Sequence, residues 1–144
     1  MVNKIIVANY SALQQKYEQQ NLTPILDALR RLLEADKLRG ILTRVVDISS
    51  AAQMKTNKGK AVTSQKSERQ AKDAVDAIYA ATKADYLVLL DSWDVIPHLA
   101  LDNRILKDED KKVPSDLPYA SDKRFTSRDP NTQRSPEWSD ALPG

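Results

Sequence analysis

Three short apolar runs, each followed by a long polar or amphipathic stretch, set the rhythm of the chain. Lys4–Ala8 (KIIVA) has the length and composition of a buried strand. Ser11 with Gln14 resembles a capping box, and Leu13 and Tyr17 share a helix face four residues apart. Thr23-Pro24 predicts a second helix start, with proline at the first helical position. Leu26, Leu29, Leu32 and Leu33 keep helical spacing, and Gly40 is the natural stop. Ile41–Ile48 (ILTRVVDI) predicts a second strand rich in β-branched residues. The polar stretch Ser49–Ser64, with Asn57-Lys58-Gly59, reads as a long loop. Ser67 and Gln70 cap a third helix whose Ala71, Ala74, Val75 and Ile78 form one apolar stripe. Tyr86–Leu90 reads as a third buried strand.

The order strand, helices, strand, helix, strand argues for an α/β fold with parallel strands and right-handed crossovers. Three strands form a thin sheet with two edges to protect, which points to a missing partner. That partner is another chain or a further half of the same domain, and the open edge also suits a homo-oligomer. Beyond Leu101 the pattern breaks: 102–112 is charged, and 121–144 is rich in Arg, Ser, Pro and Asp without periodicity. One α/β domain over 1–122 and an irregular, weakly ordered segment over 123–144 are the expected organisation.

Composition narrows the chemistry. A net charge of +2 excludes a polycation built to coat nucleic acid. The basic residues from Arg44 to Lys72 lack interleaved aromatics for base stacking, so a solvated surface is expected there and no nucleic-acid partner. No apolar run approaches the roughly 20 residues of a membrane span, and the N-terminus does not read as a signal peptide, so a cytoplasmic location is the default. Zero cysteines exclude disulfides, thiolate metal sites and a cysteine nucleophile on this chain. The single histidine excludes a multi-histidine metal site within a monomer. Three glycines, none in a phosphate-cradling motif, argue against a Rossmann cofactor site or a P-loop, and no cofactor is expected.

The candidate site residues lie beyond the third strand. Asp91 and Asp94 flank Trp93, and clustered carboxylates bind a hard cation or a basic substrate group. The plainer reading has Asp91 cap the turn and Asp94 bond its own loop. His98, after Pro97, is either a general base at the sheet's carboxyl edge or an ordinary loop histidine. Lys107–Lys112 (KDEDKK) lacks the glycine and distal glutamate of an EF-hand loop and reads as a solvated charge run. Val113–Ala120 (VPSDLPYA) is a proline-stiffened loop in which Asp116 either orients a site or braces the turn.

YLVLLDSWDVIPH (Tyr86–His98) followed by VPSDLPYASD resembles the N-terminal part of gingipain-like cysteine peptidases (family C25). Ile96-Pro97 and Ser115-Asp116…Tyr119 match two pieces of the pattern, and 4–122 is similar to those relatives overall. The resemblance implies a caspase-like (Rossmann-like) three-layer sandwich around a mainly parallel sheet. It also implies a His–Cys dyad on later strands, and no position here matches that dyad. The glycine usual before the acidic turn is replaced, since Leu90 is followed by Asp91 and Ser92.

The expectation is therefore at least three parallel strands in the order 2-1-3, forming the incomplete front half of such a domain. Without a nucleophile it is inactive alone; within a larger enzyme it would belong to a cysteine endopeptidase. Its role would be a scaffold for peptide recognition, with Asp91, Trp93, Asp94, His98 and Asp116 near the substrate and no metal. Its partner would be a complementary peptidase half or another protein. The alternative is a small α/β interaction or regulatory domain with no peptidase link, using Trp93, Trp138 and the sheet edge. A weaker third reading places metal-assisted hydrolysis or phosphotransfer on the aspartates.

Overall fold

The computed structural model describes residues 1–102 and 109–121. The segment expected over 123–144, including Trp138, and residues 103–108 of the charged run lie outside the described residues. Chain contacts divide the molecule into two compact units, Met1–Pro97 and a second beginning at His98.

The first unit is built on a parallel sheet of β1 (Val2–Ala8), β2 (Ile41–Asp47) and β3 (Tyr86–Leu89), in the order β2-β1-β3. Val2 pairs with Ile41 and Ala8 with Asp47 on one side, and Lys4 pairs with Tyr86 and Val7 with Leu89 on the other. Ile5, Ile6, Val7 and Ala8 are all buried. Consecutive strand residues point to opposite faces, so β1 is covered on both. The connections are α1 (Tyr10–Lys16) with α2 (Gln19–Leu38), then α3 (Ala51–Thr56) with α4 (Glu68–Thr82). They run in opposite directions across the sheet, and right-handed crossovers then set the two pairs on opposite faces. The parallel α/β architecture and the 2-1-3 order follow the expectation from pattern.

The helix starts differ from expectation in instructive ways. Asn9, not Ser11, caps α1: its Oδ1 accepts from the Ala12 N–H at 3.0 Å. α2 begins at Gln19 and keeps Pro24 inside it. Proline there forfeits one ladder bond, to the Gln20 carbonyl. Burial of Leu22, one turn ahead of Leu26, is what extends the helix toward the N-terminus. Gly40 ends the segment at φ 76, where a Cβ would be strained. Ser67 caps α4 as expected, accepting from the Gln70 N–H at 3.2 Å.

The stretch 49–64 is not simply a loop. Ser50 caps α3, and Met54, fully buried, is its apolar anchor. One methionine among polar residues is too sparse a signal for periodicity to register. Lys72 also departs from the solvated surface expected of the basic stretch. It is 1% exposed on the buried side of α4 and ion-paired with Asp76 one turn on. β3 is less enclosed than a central parallel strand, since Tyr86 and Val88 are exposed while Leu87 and Leu89 are half-buried. It is one edge of the sheet, and β2 is the other.

In the second unit, β4 (Leu99–Asp102) and β5 (Lys112–Ser115) pair antiparallel, Leu99 opposite Ser115 and Asp102 opposite Lys112. Lys112 and Asp102 form an ion pair there. A 3₁₀ turn follows at Leu117–Ala120. The proline-stiffened loop expected at 113–120 is thus a strand and a turn. Two prolines exclude a long strand but tolerate a four-residue edge.

Candidate functional site

Each parallel strand hands over at its carboxyl end to a polar side chain: Asn9 after β1, Asp47 closing β2, and Asp91 after β3. The connections from β1 and β2 leave on opposite faces. The carboxyl ends of β1 and β3 therefore flank the switch point where open α/β sheets form a ligand crevice.

The β3 end is tightly bonded. The Leu90 N–H donates to the Val7 carbonyl at 2.9 Å, carrying the sheet one residue past the strand. Asp91 then takes φ 78, a left-handed backbone that side chains with a Cβ rarely adopt. This is the position where the resemblance leads one to expect glycine. The bend lets the Asp91 carboxylate fold back, so that its Oδ1 accepts from the Ser92 N–H at 2.6 Å. The loop closes as the Val95 and Ile96 N–H groups donate to the Ser92 carbonyl at 2.9 and 3.1 Å, and both side chains are buried.

Lys16, the last residue of α1, reaches across to this loop. Its Nζ donates to Asp91 Oδ1 at 2.8 Å, to Ser92 Oγ at 2.9 Å and to Asp94 Oδ1 at 2.8 Å. An ammonium has three protons, and all three are used. Ser92 Oγ lies 2.9 Å from Asp91 Oδ1 and 2.6 Å from Asp94 Oδ1, and its one proton serves either carboxylate. Gln65 donates to the Asp94 carbonyl and ties the loop to the segment before α4.

The electrostatics follow from this geometry. Burial pushes the Asp91 carboxyl up, but hydrogen bonds from Lys16, Ser92 and Tyr17 outweigh it and hold the group at about 2. Hydrogen bonds from Lys16 and Ser92 lower Asp94. Bonds to Asp91 and Asp94 raise Lys16. All three groups are therefore charged at neutral pH, one cation against two anions. None is poised to exchange a proton there, so the cluster is suited to binding and not to general acid–base work.

At the neighbouring strand end, Asp47 Oδ1 accepts from the Tyr10 N–H at 3.1 Å, the Ser49 N–H at 2.9 Å and the Ser49 hydroxyl at 2.6 Å. Burial, then the Asp47 charge, pushes the Tyr10 phenol up. This carboxylate braces the β1 and β2 turns.

Of the residues singled out from sequence, the fold brings Asp91 and Asp94 onto one ammonium and leaves Trp93 between them 66% exposed. His98 opens the second unit, half-buried. Asp116 also lies there, exposed, its carbonyl accepting from the Tyr119 N–H at 2.9 Å. Lys16 and Asp47 were missed. Asp47 had a signal, an Asp-x-Ser turn ending a strand. Lys16 had none, because a lysine closing a polar Gln-Gln-Lys run gains its role only from the strand order. Among the described residues, no group of three or more His, Cys, Asp or Glu side chains is placed to hold a metal ion. No described helix is long and apolar enough to cross a membrane.

The fold and this cluster define a parallel α/β domain with an ion-locked carboxyl edge. Comparison with protein-family models, curated proteins and solved structures gave no match.

Proposed function

We propose that this chain is a non-catalytic recognition domain, the front half of a caspase-like (gingipain-like) fold, that presents the carboxyl edge of its sheet to peptides. The observation that carries the reading is Trp93, 66% exposed on a loop pinned by Lys16, Asp91, Ser92 and Asp94. An aromatic ring held out on a rigid loop binds at little entropic cost. The cluster beside it carries one excess negative charge, which favours peptides with basic side chains. The resemblance of Tyr86–Tyr119 to gingipain-like peptidases supports a peptide ligand. The absence of cysteine from the chain supports binding without cleavage. A complementary chain bearing histidine and cysteine would convert the assembly into a cysteine endopeptidase.

The test uses the full chain with Trp138→Phe, which leaves Trp93 as the sole tryptophan. Short basic, neutral and acidic peptides are titrated while emission is followed. A saturable change with the basic peptide, weakened about fivefold by Asp94→Asn, is expected. Equal responses to acidic and basic peptides overturn the reading, as does release of new α-amino groups by the chain alone.

A further inference from the structure

We infer that Lys16 is an internal competitor for the site it fills, so that its ammonium and a basic side chain of the peptide take turns on Asp91 and Asp94. Such competition regulates, and rests on, the peptide binding proposed above. Three acceptors, Asp91 Oδ1, Ser92 Oγ and Asp94 Oδ1, converge on the Lys16 ammonium at 2.8, 2.9 and 2.8 Å. A basic side chain from outside would need the same charge-assisted contacts. The loop already holds a basic side chain, and it is the protein's own.

Lys4 offers the contrast. It pairs with Asp36 at 2.5 Å, and that carboxylate is 2% exposed and also takes the Thr43 hydroxyl at 2.6 Å. With the carboxylate sealed, no cation from solvent can take the place of Lys4. At the other pair the Lys16 side chain is 26% exposed and Asp94 40%. A cation from solvent therefore reaches Asp94 without displacing a strand or a helix. Release of Lys16 is equally local, because α1 ends at this residue and its long side chain needs only rotamer changes to swing out. Other bonds keep the loop in shape meanwhile: Leu90 to Val7, Val95 and Ile96 to Ser92, Ser92 to Asp91, and Gln65 to the Asp94 carbonyl. Trp93 thus stays presented whichever cation is bound. A tethered ligand acts at an effective concentration on the order of millimolar, which holds off a lone amine. A peptide that also covers Trp93 has a second contact with which to win. Its apparent affinity is lowered by the fraction of molecules in which Lys16 has swung out.

The test adds Lys16→Met to the Trp138→Phe chain, which removes the charge and nearly keeps the side chain's length. The basic peptide should then bind about tenfold more tightly, the gain for a site open about one-tenth of the time, and the acidic peptide no better. Two carboxylates left without their ammonium repel each other, so a second measurement uses the unsubstituted chain. An N-acetylated arginine peptide, free of amines, is added during brief acetylation, and lysine modification is read by mass spectrometry. Lys16 should label severalfold faster with the peptide than without it, while Lys37, exposed on α2, is unchanged. Basic peptides that bind the wild type without speeding Lys16 labelling overturn the inference and leave the proposed function standing. So does a Lys16→Met variant, matched to wild type in circular dichroism and melting, that binds them no more tightly. If neither form prefers basic to acidic peptides, both the competition and the proposed function fall.

Discussion

The left-handed backbone at Asp91 sets up a comparison in which the side chain cancels. Asp91→Gly and Asp91→Ala both delete the carboxylate, and with it the bonds from Lys16 and Ser92. They differ only in the Cβ that alanine forces into φ 78. A residue with a Cβ in the left-handed region costs about 1–2 kcal/mol. Glycine gives back about 0.4–1 kcal/mol through its freer unfolded chain. The glycine variant is therefore more stable than the alanine variant by about 0.5–1 kcal/mol. For a unit of this size that is a melting-temperature gap of roughly 2–8 °C. Urea denaturation followed by circular dichroism gives the free-energy difference directly, and thermal melts give the second measure. Ser92 supplies the control: its φ is not positive, so Ser92→Ala should exceed Ser92→Gly. An Asp91→Ala variant equal to or above Asp91→Gly refutes the strained turn. The same order at both positions would also refute it.

Gly59→Ala is expected to destabilise by about 1–2 kcal/mol, because the new Cβ would lie 2.7 Å from Met54 Cε and 2.8 Å from Ala77 Cβ. An unstrained loop position would instead gain stability from the change; an Ala77→Gly background should reduce the loss, and denaturation of the four variants measures it. Acid should unfold the first unit within a defined window. Asp91, Asp94 and Asp36 are all lowered in the fold, Asp91 to about 2, and Asp36 is held down by Lys4 and then Thr43. Groups with depressed values contribute stability that is complete above the unfolded carboxylate range, near 4, and is lost as pH falls toward 2. Lys16 is raised, so its contribution is complete below its ordinary value of 10.5 and fades only above it. Stability should therefore be level from about pH 5 to pH 9 as far as these groups determine it. A loss already evident at pH 6, measured by urea midpoints, would contradict that assignment.

What pattern revealed was the sheet. Ile5–Val7 is a continuous apolar run of the kind used by a parallel strand covered on both faces, and Ile41–Val46 is rich in β-branched residues. The α4 stripe and its Ser67 cap were equally plain, because both depend on neighbours within one or two turns. The residues that escaped depend on distant partners. Met54 anchors α3 only because Gly59 leaves its side chain room, and Leu22 lengthens α2 only because a core exists for it to enter. Lys16 meets Asp91 and Asp94 from 75 and 78 residues away, and no local rule anticipates such a meeting. The site was half legible for the same reason: Asp91-Ser92-Trp93-Asp94 stands out as a turn after a strand, while its counter-ion belongs to another element.

The central place of β1 has a consequence for how the protein is made. Ile5, Ile6, Val7 and Ala8 leave the ribosome ahead of both strands that flank them, which end at Asp47 and Leu89. At elongation speeds of roughly 5–20 residues per second, this quartet waits several seconds for its second flank. During that interval a fully apolar segment has only one strand to pair with. Nascent chains that stop before Leu89 would then hold a sticky, half-sided ribbon that ribosome-associated chaperones must shield. The vulnerable period in this molecule's life is its synthesis.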